Sequence, residues 1–334
     1  MVSYEQNTER ARFYMTDAKK WFREAEFGMM NHFGLYSVLA GEWKGKRMGN
    51  TIGEWIQSYF RIPNSEYHQL AKVFNPVYFN ADEWIRLAKD AGMKYFVITS
   101  KHHEGFALFK SKASSFNSVD ASPLHRDIIE ECAEACAKHG MKLGLYYSQA
   151  LDWSHPDGGG YDAAAPNVEG MSWTNDWDFP DNSRKNYRRC YDEKIKPQVE
   201  EILRNYGELC LIWFDTPISI PIECSDELYK MVKKYQPNCL VNSRIGNGCF
   251  DYESSGDNEI PDSDKTGILY ETCATLNDTW GYKSYDNNWK STEEVLRLKT
   301  HINNLGANYL LNVGPDWLGR IPSPAIDILR GLNK

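Results

Sequence analysis

Residues 94–109 read KYFVITSKHHEGFALF, and the fold turns on how this stretch is parsed. Tyr95 to Thr99 places five β-branched or aromatic residues in a row, with no polar face. Such a run suits a strand covered on both sides, which is the situation in a parallel sheet flanked by helices. Lys101-His102-His103-Glu104-Gly105 then ends the run in polar and charged groups. A strand end of this kind ligates metal, binds a polar ligand or caps the structure, and the rest of the chain has to decide.

Working outward, the pattern recurs. Apolar runs at 27–33, 94–101, 142–148, 209–215, 240–244, 267–272 and 308–313 alternate with helical periodicity near 81–91, 126–139, 184–206, 225–235, 292–304 and 324–333. Cys249-Phe250-Asp251-Tyr252 reads as the eighth and weakest strand. Asp82 reads as opening one helix, and Gly92, Gly140 and Gly306 follow three of them. Strand and helix in alternation make a parallel sheet, and seven or eight repeats favour a TIM-like (β/α)8 barrel. An open doubly wound sheet loses its support because neither Gly-x-Gly-x-x-Gly nor Gly-x-x-x-x-Gly-Lys-Ser/Thr occurs. The expectation is one α/β catalytic domain over residues 1–334, with 149–183 (rich in Gly, Pro, Asp and Trp) looping over the barrel mouth.

Composition narrows the function. A net charge of -8 gives nucleic acid and anionic membranes no basic face to hold, so neither is an expected partner. No run of 18 apolar residues occurs and MVSYEQNTERARF has no apolar core of a signal peptide, so a cytoplasmic location is expected, or a secreted or periplasmic one if a leader is removed. Eight cysteines without a Cys-x-x-Cys pair argue against a zinc site and suit a reducing compartment. With 11 Trp, 20 Tyr and 14 Phe the chain is rich in aromatics, which stack on sugar rings when they lie in loops and otherwise fill cores.

In a (β/α)8 barrel the chemistry gathers where strands end. Here those ends deliver His32, then His102 and His103, then Tyr146 with Tyr147, then Trp213 and Asp215, then Arg244, and on a later strand Glu271. Polar groups concentrated in apolar strands imply a polar pocket. The run Leu209-Cys-Leu-Ile-Trp-Phe-Asp215 is the sharpest. A carboxylate among Trp213, Phe214 and Pro217 is held and partly desolvated, as a nucleophile or general base should be. Capping of the next helix is the bland alternative, and Thr216-Pro217-Ile-Ser-Ile-Pro221 does not start one. Adjacent His102 and His103 point to opposite faces of a regular strand, so neutral imidazoles that hydrogen-bond ligand hydroxyls are favoured over a metal site, and no cofactor is expected.

Together these pieces resemble the catalytic domain of the α-L-fucosidases in family 29 of the glycoside hydrolases. The matching segments are WFREAEFGMMNHFGLYSV (21–38), EW and SEYH within 54–68, KHHEGFALFKS (101–111), GLYYSQALDW (144–153), LIWFD (211–215), NSR (242–244), YETC and NDTWGY within 270–282, and NYLLNVGPDWLGRIP (308–322). The resemblance implies a retaining exo-α-L-fucosidase in which Asp215 is the nucleophile. It implies that His32, Glu54, Trp55, His102, His103, Tyr146, Trp213 and Arg244 hold the fucose hydroxyls or the nucleophile, and that Trp280 packs on the C6 methyl. Terminal fucose on glycans or glycoconjugates is the implied substrate. For the acid/base the resemblance points to Glu271, expected at a strand end, or to the loop 251–261 (DYESSGDNEIP) with Asp257, Glu253 and Glu259; as a bland alternative, Glu271 is a buried partner of Arg244. Many relatives add a C-terminal β-sandwich, and this chain stops after the last helix. It is either a single-domain form or a chain cut short; in the second case the apolar face that would meet the sandwich is exposed and favours association, so a homo-oligomer is among the expectations. A catalytically silent fucose-binding protein and a metal-dependent barrel hydrolase are the rival readings.

Overall fold

In the computed structural model, which describes residues 16–162 and 171–333, the apolar runs become eight parallel strands. They are β1 (Phe27–Asn31), β2 (Tyr95–Lys101), β3 (Lys142–Tyr147), β4 (Leu209–Phe214), β5 (Leu240–Val241), β6 (Glu253–Ser254), β7 (Tyr270–Thr275) and β8 (Asn308–Asn312). The sheet order is β5-β4-β3-β2-β1-β8-β7-β6. A parallel bridge between Asn242 and Tyr252 joins its two edges, with the Asp251 and Tyr252 amides both donating to the Val241 carbonyl. The ring is thereby closed, as the alternating pattern requires.

The ring is irregular on one side. Helices α1 (Asp17–Ala25), α2 (Ala81–Asp90), α3 (Ile128–His139), α4 (Lys196–Asn205), α5 (Ile222–Tyr235), α6 (Thr292–Asn304) and α7 (Ser323–Gly331) surround most of it. Between β5 and β7, however, the chain offers only a 3-10 turn, Ser243–Ile245, and loops. The seventh strand is shifted from 267–272 to 270–275, because Pro261, Asp262 and Asp264 extend the preceding loop. The run expected at 249–252 becomes β6, which begins at Glu253 just after the bridge at Tyr252, and Arg244 lies in the 3-10 turn, past the two-residue β5. Asp82 does not open α2. Asn80 caps it, accepting from the Glu83 amide, and Asp82 inside the first turn pairs with Lys138 and His139 of α3. Helix α1 and a hairpin, Glu42–Trp43 with Lys46–Arg47, are additions that short, polar-rich sequence did not signal.

Two apolar layers follow from the period-two side-chain alternation of strands. Met30, Tyr95, Val97, Tyr146, Leu211, Trp213, Leu240, Cys273 and Leu310 point inward and fill the barrel. Met29, Phe96, Ile98, Leu145, Ile212, Phe214, Tyr309 and Leu311 point outward against the helices. Burial of each large side chain contributes about 1.5–3 kcal/mol. Gly28 shows how closely the interior is fitted: a Cβ there would stand 2.5 Å from the Tyr95 ring, so only glycine leaves room for that tyrosine at the barrel floor.

One charged cluster lies inside the shell. Lys101 at the end of β2 is fully buried and its ammonium is 3.0 Å from Asp152 Oδ2. Lys194, from the π-helical segment Tyr191–Ile195 that precedes α4, reaches the same oxygen at 2.8 Å and also donates to the Gly105 carbonyl and Ser154 Oγ. The cluster thus ties the HHEG turn to the start of the 149–183 loop and to the α4 region. Removing the single acid leaves two buried cations uncompensated, a change that costs about 3–5 kcal/mol in comparable sites. Asp152→Ala is therefore expected to lower the unfolding free energy measured in urea by that amount at unchanged m-value, and a loss below about 1 kcal/mol would show that the cluster does not hold the fold.

Candidate active site

The inner-face period carries the barrel interior upward into the site. Gly28 and Met30 lead to His32, Gly144 to Tyr146, and Leu211 and Trp213 to Asp215, so each polar group crowns a column of apolar ones. With Glu54, Trp55, His102, His103, Arg244, Asp257 and Trp280, the residues His32, Trp213 and Asp215 line one cavity of about 140 Å³, and Tyr146 stands behind Asp215. Cavities of that size admit a single six-membered ring. Ile52, Met171 and Trp173 add an apolar rim, the last two from the loop expected to cover the barrel mouth.

Asp215 is the best-held group. Its residue is 7% exposed; Oδ2 accepts from Tyr146 Oη at 2.8 Å and Oδ1 from Arg244 Nη1 at 2.9 Å. His103 Nε2 stands 3.9 Å from Oδ2, outside hydrogen-bond range. The Asp215 amide donates to Gln149 Oε1, and the Gln149 side chain in turn donates to the Arg244 carbonyl. Helix α5 starts at Ile222, so Asp215 caps nothing. Thr216, next in the chain and also lining the cavity, has φ 44°, a left-handed conformation that costs a non-glycine residue on the order of 1–3 kcal/mol and occurs at sites where geometry is imposed.

The three histidines meet here. Ring centroids of His32 and His102 are 5.7 Å apart, and those of His102 and His103 3.9 Å. Burial, then the neighbouring His102, brings His32 down to about 3 against the opposing hydrogen bond from Asn312. Burial likewise brings His102 to about 3 and lowers His103. All three are neutral at physiological pH, able to donate or accept toward hydroxyls. Asn312 Nδ2 donates to the Trp280 carbonyl, so its Oδ1 accepts from His32 Nδ1–H and leaves Nε2 bare for the cavity. His103 Nδ1 pairs with Ser148 Oγ at 2.7 Å.

Glu54, on the 3-10 turn Gly53–Trp55, accepts from the Gly281 amide at 2.8 Å, which locks the NDTWGY loop to it. Burial pushes its carboxyl up to about 8, so it enters the neutral range as a protonated donor. Trp280 faces His32 with centroids 5.2 Å apart. Trp55 lies edge-on to His103, Trp153 and Trp173, forming an aromatic wall.

The carboxylates separate in a way the strand boundaries did not suggest. Glu271 does not end its strand; it is the second residue of β7 and fully buried, accepting from Tyr95 Oη at 2.7 Å and Trp213 Nε1 at 2.8 Å. Burial raises it to about 7, but it does not line the cavity: it lies beneath Trp213 and fixes that ring. Nor is it bonded to Arg244, which donates instead to Asp215, the Ser255 carbonyl and Asp257 and lies 4.7 Å over the Trp213 ring. Asp257 lines the cavity with its side chain 47% accessible, its Oδ1 2.7 Å from Arg244 Nη2. Glu253 lies within β6 and Glu259 turns back to the Gly256 amide, so neither lines the cavity. Among the described residues no group of three or more His, Cys, Asp or Glu is arranged to hold a metal ion.

Sequence reading brought His32, Glu54, Trp55, His102, His103, Tyr146, Trp213, Asp215, Arg244 and Trp280 to this cavity or its wall. It missed Gln149, Asn312, Met171 and Trp173. Asn312 alone carried a signal, a polar residue at the inward phase of β8.

The match of the alpha-L-fucosidase family model runs over residues 2–334. Among curated proteins, a putative alpha-L-fucosidase of Caenorhabditis elegans is 29% identical over 94% of this chain and 64% of its own length. A tissue alpha-L-fucosidase of Macaca fascicularis is 30% identical over 90% and 63%. The chain thus spans about two thirds of such relatives, or slightly less. Among solved structures, alpha-L-fucosidase AlfC of Lactobacillus casei, in complex with alpha-L-fucose product, is 51% identical with a TM-score of 0.91, covering 95% of this chain and 97% of that one. A variant of AlfC is described in complex with Fuca(1,6)GlcNAc. A whole-chain family match, joined to a closed eight-stranded ring carrying its polar residues at the strand tips, shows that this chain belongs to the alpha-L-fucosidase family.

Proposed function

We propose that the protein is a retaining exo-α-L-fucosidase that removes terminal α-L-fucose from fucosylated oligosaccharides or glycoconjugates, α1,6-fucosyl-GlcNAc among them. The observation that carries the reading is the pair of carboxyls, Asp215 and Asp257, held on the two terminal nitrogens of one guanidinium in a cavity of single-sugar size. Retaining glycosidases need two carboxyls about 5–5.5 Å apart, one to attack and one to transfer protons. Fucose presents hydroxyls and one methyl, and the cavity presents neutral imidazoles, a raised glutamic acid and tryptophans to meet them.

Asp215 takes the nucleophile's part. Its carboxylate attacks the anomeric carbon while the glycosidic oxygen takes a proton from Asp257 and leaves; an ester between fucose and Asp215 results. Water then attacks the same carbon, gives its proton to Asp257 and releases Asp215. The first step needs Asp257 protonated, so its contact with Arg244 in the free site loosens as the glycosidic oxygen arrives. Glu271 is replaced as the candidate acid because no path leads from its carboxyl past the Trp213 ring to a bound sugar. Tyr146 and Arg244 hold Asp215 in line, and Trp280 and His32 supply the wall for one face of the ring.

Incubation with p-nitrophenyl α-L-fucoside tests the reading, and nitrophenol release unaffected by EDTA is expected. Absence of release with measurable fucose binding would leave a binding protein instead. Asp215→Gly is expected to lose at least three orders of magnitude in kcat with the fold intact, and azide should then give the β-configured fucosyl azide. More than a tenth of wild-type turnover in that variant would remove Asp215 from the role. Asp257→Ala should lose turnover on poor leaving groups far more than on nitrophenol, with azide giving the α-configured product. If Glu271→Ala shows that rescue and Asp257→Ala does not, the acid lies under Trp213 after all.

A further inference from the structure

Behind His102 lies a carboxyl that the proposed reaction does not use. Glu104 is 1% exposed, and His102 Nδ1 stands 3.4 Å from its Oε2. Among the described residues no side chain, His102 included, makes a formed hydrogen bond to either Glu104 oxygen or to His102 Nδ1, and only the backbone amides of Glu104 and Leu35 act on the carboxyl as hydrogen-bond donors. The backbone at Gly34 packs so tightly that a Cβ there would come 2.6 Å from Glu104 Oε1, which pins the carboxyl against the imidazole. Buried polar atoms of this kind are almost always satisfied; His102 Nδ1 is the ring nitrogen set against this carboxyl, and the Tyr36 and Tyr67 hydroxyls, likewise without a partner among the described residues, face the same carboxyl. With Nδ1 sealed, the other ring nitrogen is left to reach the cavity that His102 lines.

We propose that Glu104 is a positioning residue for His102, whose buried carboxyl bonds Nδ1 and so decides which ring nitrogen carries the proton toward the sugar. The chemistry has two states. A protonated Glu104 donates O–H to bare Nδ1, and His102 then presents Nε2–H, a donor, to the cavity. When the pair loses one proton, the acid proton passes from Glu104 to Nδ1, leaving a carboxylate that accepts from Nδ1–H, Nε2 gives up its own proton to solvent, and His102 presents an acceptor instead. His32 differs: Asn312 fixes the proton of the neutral ring on Nδ1, so across this range it offers an acceptor. The two imidazoles therefore face a ligand with opposite polarity while Glu104 is protonated, and with the same polarity once it is not.

The surroundings favour the protonated state near neutrality. Burial pushes Glu104 up to about 8, against the amides of Glu104 and Leu35 and the charge of Lys101, with Asp152 acting in the same sense as burial. Tyr36 and Tyr67 face it from the turns Tyr36–Leu39 and Asn64–Tyr67, and both stay neutral, being pushed up by burial and then by Glu104 itself. On the far side of His102 stand His32, His103 and Asp215.

That His102 touches a sugar rests on the fucosidase reading, but the tautomer does not. In the full chain labelled with 15N-histidine, long-range proton–nitrogen spectra are expected to show His102 as Nε2–H at pH 6.5 and Nδ1–H at pH 9.5, with His32 as Nδ1–H throughout. Glu104→Gln, close in shape and unable to titrate, should abolish the change. One tautomer of His102 across the whole range in the wild type, or the same change in Glu104→Gln, overturns the proposal. L-fucose binding is the second readout. Its Kd should weaken by about tenfold more over that range in the wild type than in Glu104→Gln, the effect of one hydrogen bond; Glu54 titrates in both and cancels in the comparison. An equal slope in the two proteins counts against Glu104, whereas a tautomer change without any fucose binding keeps Glu104 and removes the fucosidase reading.

Discussion

A carboxylate at the tip of an apolar strand is stable only if other groups replace the water it gave up, and Asp215 shows how completely that constraint shapes the site. Its two oxygens take a phenol and a guanidinium, its own amide takes a glutamine, and that glutamine holds the carbonyl of the same arginine. Leaving such a charge unpaired inside the barrel would cost several kcal/mol. The donors must therefore come from neighbouring strands, and they do: Tyr146 from β3 and Arg244 just past β5, while Gln149, just past β3, accepts from the Asp215 amide. The fold is what brings them, because parallel strands closed in a ring end at one level.

Burial then sorts the remaining ionisable groups by kind. It lowers imidazoles and raises carboxyls, so His32, His102 and His103 stay neutral while Glu54 and Glu104 hold protons toward neutral pH. The net result is a cavity wall with few full charges away from Asp215, Arg244 and Asp257. A neutral sugar with hydroxyl groups is recognised by such a wall without a desolvation penalty for extra charge. The stability consequence has a sign. For the histidines, whose folded values lie below 6.5, acidification from about 6.5 toward 3 favours the unfolded chain, which takes up the protons; for the two glutamates, alkalinisation from about 4.5 toward 8 does so.

Much of this was legible in the chain. The strands with uniform apolar runs announced themselves, and their period-two phase put His32, Tyr146 and Asp215 on the inner face. The boundaries that failed are those set by tertiary contacts. β5 is two residues long and β6 is held by a bridge at Tyr252, so neither has enough local signal to fix its ends. The placement of Glu271 failed for the same reason: three residues of shift in β7 moved it from the expected tip into the floor. Gln149 and Glu104 left no trace because their roles lie in what packs around them, which periodicity does not encode.

The irregular side of the barrel explains why the two carboxyls proposed to react differ in their setting. Asp215 directly follows a six-residue strand packed on both faces, whereas Asp257 sits in the loop between β6 and β7, a connection that itself contains no helix. A nucleophile forms a bond to one carbon and tolerates little displacement, so a rigid strand tip suits it. An acid/base serves two oxygens in turn, the leaving group's and then water's, and must also release Arg244 before it can donate. A loop carboxyl with nearly half of its side chain open to solvent can make those moves and exchange its proton between steps. Arg244 links the two settings, since its turn follows directly from β5 while its far nitrogen reaches the loop; one guanidinium thus bonds Asp215 at the strand tip and Asp257 in the loop.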